Sequence, residues 1–344
     1  AIPSMVGQLI NVLYNIVDRI YVGNLPNVGE IALIGIGVCS PIVTLITSFA
    51  FLVGLGGAPM FSIALGEKDN DKAKKILSNA LLMLIIISSI IMLIFYLFSE
   101  PILFLFGASE ASIEYALSYL RIYLIGTFFS LLTLGLNQYL TAQGESSKAM
   151  MTIIIGCVLN IGLDPLFMYF FHLGVKGAAL ATIISQFISF VFVIFILLKK
   201  TTIKLSFGGY DKKIMLMIIK LGISPFIIMA TDSIILILLN NSLKLYGKDK
   251  GDFYIEIATI VQAFETLATG PLLGISSGTQ PILGYNYGAK NKKLIIKAEK
   301  QLLIFALIFT SSFFILSFFI AKPFSIMFIG IGKDHINYEI VNEA

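Results

Sequence analysis

IPSMVGQLINVLYNIVDRIY, Ile2 to Tyr21, is a twenty-residue apolar segment with a carboxylate, Asp18, inside it, and its layout returns 222 residues later. Pro3 pairs with Pro225, Pro59 with Pro281 and Pro101 with Pro323, while Gly56 with Gly278, Gly66 with Gly288 and Lys68 with Lys290 keep the same register. Three of the five prolines in the first 122 residues therefore recur at one offset, with the hydropathy in phase. Duplications of this kind mark membrane transporters, whose repeats place a substrate site at their interface near the bilayer midplane.

Composition agrees with a bilayer environment. Hydrophobic residues make up 57% of the chain and charged residues only 13%, with a mean hydropathy of +0.93, far from the balance of a soluble domain. The apolar runs are about 20 to 28 residues long, enough for a helix to cross roughly 30 Å of hydrocarbon, and none alternates with period two as an outer-membrane strand does. The reading is an all-α integral membrane protein. Cys39 and Cys157 lie in apolar runs without metal-ligand spacing and read as packing residues. No Walker loop, HExxH motif or His/Cys cluster is present, and His172 and His335 fall at expected loops, so enzyme activity has no support and no cofactor is expected beyond a coupling ion.

Nine spans are expected, at about residues 2–22, 31–55, 76–98, 115–141, 150–171, 177–198, 214–240, 255–280 and 298–320. Of the 24 basic residues, 16 fall in alternate connections, those around Lys68 to Lys75, Lys148, Lys199 to Lys220 and Lys290 to Lys300. Cytoplasmic loops carry such an excess, which predicts a cytoplasmic N-terminus. Lys244, Lys248 and Lys250 run against this assignment, partly offset by Asp249 and Asp252. Positions 123 to 222 have no counterpart in the second half. A full duplication of about 444 residues with twelve helices is expected, of which about nine are here, so the chain reads as shortened at both ends. Residues 1–200 form the expected N-terminal lobe of six helices, 201–213 a cytoplasmic linker, and 214–344 a partial C-terminal lobe that is least ordered from Lys322 onward.

Gln8, Asn11, Asn15 and Asp18 recur at intervals of three and four, one polar stripe on an apolar cylinder. A charge at mid-membrane costs about 2.5 to 3.5 kcal/mol on insertion scales, so Asp18 should face protein or water. The alternative places Asp18 in the headgroups paired with Arg19, although adjacent helical positions point about 100° apart and pair poorly. Asp164 precedes Pro165, which removes a backbone donor and disfavours helical geometry before it, and Asn160 lies one turn earlier. These are the hard oxygen ligands that Na+ requires, and a desolvated carboxylate also holds a proton. The competing reading ends the helix at Asp164-Pro165 with the carboxylate solvated. The cation-coupling set is therefore Asp18, Asn15, Asn160 and Asp164, with Na+ at Asp18 and Asp164. Asp232 lies mid-span without a basic neighbour, as a cavity residue or a hydrogen-bonded acid with no transport role. Glu265 lies near Gln262 and Thr269 on a polar stripe. Gln8, Asn11, Asp232, Gln262 and Glu265 are the candidate substrate-cavity residues, and Gly56, Pro59, Gly278 and Pro281 the candidate hinges at helix ends.

GTQPILGYNYGAKNKK, Gly278 to Lys293, resembles the signature after the eighth helix of the multidrug and toxic compound extrusion (MATE) family, and GGAPMFSIALGEKDNDKAKK, Gly56 to Lys75, resembles the matching first-half loop. YNIVDRIYVG from Tyr14, NIGLDPLF from Asn160, GVKGAALATIISQ from Gly174 and GISPFIIMATDS from Gly222 are similar to the same family in the same order, so the resemblance covers the whole chain. It implies two six-helix lobes around a central cavity, driven by inward flow of Na+ or H+, with the first-helix Asp18 as a cation-site residue and an acid at Asp232. The expected activity is export of organic, cationic and amphipathic compounds from a bacterial plasma membrane, by a monomer with no nucleic-acid partner. The runner-up is a lipid-linked oligosaccharide flippase of the same superfamily. Such a flippase would line its cavity with Arg and Lys, whereas the basic residues in these spans are Arg19, Arg121 and Lys220 near their ends.

Overall fold

The computed structural model describes residues 2–26 and 28–329. Among these are ten α-helices: α1 (Ile2–Gly23), α2 (Gly29–Gly66), α3 (Asn70–Leu97), α4 (Ser99–Leu105), α5 (Ile113–Ala142), α6 (Ser146–Pro165), α7 (Val175–Lys199), α8 (Lys212–Gly247), α9 (Gly251–Gly288) and α10 (Lys292–Ile329). Nine are long. The short α4 lies where a plain loop was expected, with Ser99 and Leu103 buried against the bundle. The helices also overrun their expected ends: Pro59, Pro281 and Pro323, just beyond the expected spans, lie inside continuous helices, as do Pro41, Pro225 and Pro271 within them. In an apolar bundle neighbouring groups take up the freed carbonyls, so proline does not end a helix as it would in water. Lys322 belongs to α10, which stays helical through Ile329. The rest of that expectation, and His335, lie outside the described residues.

Seven helices among the described residues are long and apolar enough to cross a membrane: α2, α3, α5, α6 with its extension, α7, α8 and α10. The other two long ones, α1 and α9, carry the polar stripes, which lower their hydropathy. These two lie side by side: Gly270 faces Val12 and Gly274 faces Ser4 and Met5. Placing the least apolar helices against each other buries Asp18 of α1 and Thr259 and Thr279 of α9, whereas Glu265 of α9 stays exposed.

Burial is concentrated in the first two thirds of the chain. Two large apolar clusters knit α2, α3, α5 and α7 together, around residues such as Ile42, Leu120 and Leu124 and around Phe61, Leu77 and Tyr139. The cluster joining α1, α9 and α10, with Val12, Ile260 and Phe324, is much smaller. The apolar window of α10 has no buried residue. The linker expected at 201–213 is shorter, because α8 already starts at Lys212, and residues 200–211 form an irregular strap fastened to the first bundle. Ser78 Oγ donates to the Ser206 carbonyl, Asn79 donates to the Gly209 carbonyl at 3.1 Å and accepts from the Asp211 amide at 2.9 Å, and Gln143 accepts from the Ile203 amide at 2.9 Å.

The ends of α2 and α9 match at the 222-residue offset. The amides of Glu67, Lys68 and Asp69 bond to the carbonyls of Ile63, Leu65 and Ala64, and those of Ala289, Lys290 and Asn291 to Tyr285, Tyr287 and Asn286. Lys68 and Lys290 both take positive φ, at 62° and 57°. Asp69 caps α3 through the Lys72 amide, as Asn291 caps α10 through the Leu294 amide. The two turns also touch reciprocally: Gly66 abuts the Tyr285 carbonyl and the Ala289 amide, and Gly288 abuts the Ile63 carbonyl and the Glu67 amide. A Cβ at either glycine would overlap the opposing backbone, which explains these two glycines.

Candidate functional site

A cavity of about 830 Å³ opens between α1, α2, α5, α6 and α7 on one side and α8 and α9 on the other. The stripe on α1 faces it: Gln8, Asn11, Asn15 and Asp18 all line the cavity, joined by Tyr14 of the same face. Asn15 Nδ2 donates to the Asn11 carbonyl at 2.7 Å, so its amide nitrogen is engaged within α1. Apart from Asp18, the polar lining consists of Ser, Thr, Asn, Gln and Tyr, and among the described residues no Lys, Arg or Glu reaches the cavity wall. One carboxylate therefore carries all of the formal charge of the described lining.

Asp18 is only 6% exposed, and Asn160 and Asp164 are 1% and 0% exposed. Asn160 Nδ2 donates to Asp164 Oδ1 at 3.2 Å and to Thr182 Oγ1 at 3.3 Å, and Thr182 in turn donates to the Ala178 carbonyl at 3.0 Å. Asp18 and Asp164 lie within electrostatic reach of one another. Three buried oxygens here have no hydrogen-bond partner: Asp18 Oδ1, Asn160 Oδ1 and Asp164 Oδ2. Leaving one buried polar atom unsatisfied costs about 1–3 kcal/mol, so three such oxygens on Asp18, Asn160 and Asp164 need a reason. Two carboxylates, an amide oxygen and a hydroxyl oxygen form a hard donor set that fits a small monovalent cation. Among the described residues no cluster of three His, Cys, Asp or Glu could hold a metal ion.

Local chain geometry holds Asp164 in place. Asp164-Pro165 does not end the helix: α6 includes Pro165 and passes into a π-helical segment, Leu166–Phe170. Beyond the π-segment the chain closes with wider bonds, from the Leu173 amide to the Phe167 carbonyl at 3.1 Å and from the Gly174 amide to the Met168 carbonyl at 3.3 Å. A π-segment of this kind frequently accompanies a functional site, because it turns side chains off the α-helical register. The expectation of a non-helical Asp164 is thus corrected, and the solvated alternative fails because its carboxylate is buried.

A model of the MatE family matches residues 3–166 and 233–337. The chain belongs to the MatE family. It is 28% identical over 312 residues to the multidrug export protein MepA of Staphylococcus haemolyticus, covering 90% of this chain and 68% of that protein. The MepA of Staphylococcus aureus is 27% identical over 303 residues, covering 87% and 66%. The chain thus spans about two thirds of the length of the curated relatives it matches. Among solved structures it superposes on the MATE multidrug transporter DinF-BH, captured as a complex with a small organic compound, with a TM-score of 0.85, at 31% identity over 92% of this chain and 70% of that one. An outward-facing MATE transporter of the MOP superfamily shares the fold at 24% identity and a TM-score of 0.85. The chain is a multi-pass membrane protein of this family.

Within this MatE chain the remaining expected residues fall in different places. Asp232 is exposed on α8, while its neighbour Ser233 is buried and donates to the Pro41 carbonyl at 2.7 Å. Adjacent side chains diverge, so Asp232 points away from α2 and is not part of the cavity lining. Gln262 and Glu265 are also absent from the lining, whereas Thr266 and Thr269, one turn further along α9, belong to it. The α9 stripe is split: Thr259 is buried beneath Gly37 of α2, and the cavity face starts at Thr266. The expected hinges lie within continuous helices rather than at their ends. Gly56 packs against the Ile218 carbonyl and Gly222 of α8, Pro59 lines the cavity, and Gly278 and Pro281 are buried in α9.

Sequence reasoning missed Tyr14, Thr182 and the pair Tyr119 and Tyr123, whose rings stack at 5.8 Å between centroids. Thr182, Ser185 and Ser189 recur at intervals of three and four on α7, the signal used for α1, and would have marked that face.

Proposed function

We propose that this chain is part of a secondary antiporter that exports organic cations of amphipathic character in exchange for Na+ or H+. The observation that carries this reading is the set of three unpartnered oxygens on Asp18, Asn160 and Asp164, next to a cavity whose described lining has Asp18 as its one formal charge. Asp18 belongs to both. A coupling ion at Asp18 and Asp164 would offset their mutual repulsion and engage the free oxygens, while an organic cation in the cavity needs the same Asp18 charge. Two ligands that compete for one carboxylate couple negatively and reciprocally, the thermodynamic requirement for exchange. Tyr14, Tyr119 and Tyr123 line the same end of the cavity and suit a delocalised cation through ring faces. Relatives named as multidrug exporters, and a similar transporter holding a small organic compound, support the cargo class.

A flippase for a lipid-linked pyrophosphate finds no contact here, since among the described residues no Lys or Arg lines the cavity. The test is efflux of ethidium from vesicles of the full-length protein under imposed Na+ or pH gradients. Gradient-driven efflux that stops when the gradient collapses is expected; efflux indifferent to both gradients overturns the reading.

A further inference from the structure

Arg19 sits on the same turn of α1 as Asp18, about 100° around the helix, and its fork reaches two other helices. Its Nη2 donates to Ser40 Oγ of α2 at 2.8 Å and its Nη1 to the Thr259 carbonyl of α9 at 3.2 Å. Ser40 Oγ donates onward to the Ile36 carbonyl at 3.1 Å, so that hydroxyl is fixed to accept from the guanidinium. At the same level Gly37 of α2 lies directly on Thr259 Oγ1, leaving no room for a Cβ. Three helices meet at one guanidinium. Among the described side chains, no carboxylate lies within ion-pair distance of Arg19. The fork therefore serves neutral acceptors on two other helices, a geometry that a planar guanidinium holds and a lysine does not.

This junction lies at the end of the bundle opposite the lysine-rich connections. Two more donors of α8 reach the end of α4 and the turn after it at that end: Asn241 Nδ2 to the Leu105 carbonyl at 3.0 Å, and Lys244 Nζ to the Ala108 carbonyl. At the lysine-rich end the described residues of α2 and α9 meet through the bare backbone contact of Gly66 and Gly288. The two closures thus differ in kind, one made of directional polar contacts and the other of close packing.

We propose that Arg19 is a positioning residue, a latch that holds α9 onto α1 and α2 at the end away from the lysine-rich loops and ties that closure to the turn bearing Asp18. Movement of Asp18 on ion loading would rotate or shift the same helical turn, and with it the guanidinium. The tie to ion loading rests on the function proposed above; the latch itself rests only on the contacts.

The test uses the full-length protein in lipid nanodiscs, with Cys39 and Cys157 replaced by alanine and spin labels at Asn24→Cys and Tyr254→Cys, two exposed positions at this end. The parent is expected to show a dominant short distance. In Arg19→Gln the short-to-long ratio should fall about tenfold, the scale of one lost charge-assisted hydrogen bond, and Arg19→Lys should fall less. Ser40→Ala keeps the charge and removes one acceptor, and should lie between the parent and Arg19→Gln. Unchanged distances in Ser40→Ala and in folded Arg19→Gln overturn the latch. Added Na+ or lowered pH should shift the parent and leave Arg19→Gln unmoved. A parent that ignores both ions overturns the ion-site reading and leaves the latch standing on its variants, whereas an Arg19→Gln that responds like the parent overturns the tie between them.

Discussion

Asp18 and Arg19 are neighbours in the chain and meet different partners, because one residue along a helix is about 100° of rotation. Asp18 turns into a pocket where its Oδ1 lacks a partner, and Arg19 turns onto two other helices where its donors are used. Replacing Asp18 or Asp164 with Asn keeps the volume and removes the charge. Each variant is expected to insert and fold but to lose gradient-driven efflux by about 10- to 100-fold, the scale of a charged hydrogen-bond partner; parental pumping by both variants would show the site to be misplaced. Thr182 tests the donor set more finely. Its hydroxyl accepts from Asn160, so Thr182→Val should weaken Na+ or proton coupling while Thr182→Ser retains it, read as the ion concentration giving half-maximal efflux. Equal values for the two would make the hydroxyl irrelevant.

At the scale of elements, glycine placement decides how closely helices cross. The reciprocal contact of Gly66 and Gly288 lets the ends of α2 and α9 touch backbone to backbone. A valine at Gly288 has no room against the Ile63 carbonyl, and overpacking of this kind costs about 1–3 kcal/mol. Paired cysteines at Glu67 and Ala289 are expected to form a disulfide readily in the parent and at least about tenfold more slowly with Gly288→Val, the equivalent of about 1.4 kcal/mol. A rate unchanged by the valine would mean that the helices do not meet there. The strap makes a second case. Asn79 is fully buried and holds both the Gly209 carbonyl and the Asp211 amide. Asn79→Ala should therefore free residues 200–211 and speed tryptic cleavage at exposed Lys204; cleavage at the parental rate would show that the strap is held by its buried Ile203 and Leu205 alone.

For the whole molecule, the distribution of lysines predicts that the ends of α2, α7 and α9 face the cytoplasm. Single cysteines at Lys72 and Asn291 should react only with a membrane-permeant thiol reagent, and one at Glu110 with an impermeant external reagent, with the reverse pattern overturning the orientation. Lys244, which counted against that orientation in the sequence, donates to the Ala108 carbonyl. A lysine with a structural partner carries less weight in a loop-charge argument.

Hydropathy, run length and the 222-residue spacing determined from sequence alone that this is a helical membrane protein, and family motifs pointed to its relatives. The stripe of α1 was also legible, because a polar residue every three or four positions on an apolar helix has only one face to occupy. The sequence did not determine where the stripes of the other helices point. Asp232, Gln262 and Glu265 looked equivalent to Asp18 by composition, yet only Asp18 faces the cavity, because the rotation of a helix is set by its packing partners rather than by its own residues. The spacing of Thr182, Ser185 and Ser189 would have marked the polar face of α7, but the particular role of Thr182 depends on Asn160 lying 22 residues away. Prolines misled at helix ends because the penalty they impose in water is relieved inside a bundle. The grouping of Asp18, Asn160 and Asp164 was already legible in the sequence, but only the tertiary structure showed that three of their oxygens lack partners, since hydrogen-bond satisfaction belongs to assembled groups and no single segment of sequence contains it.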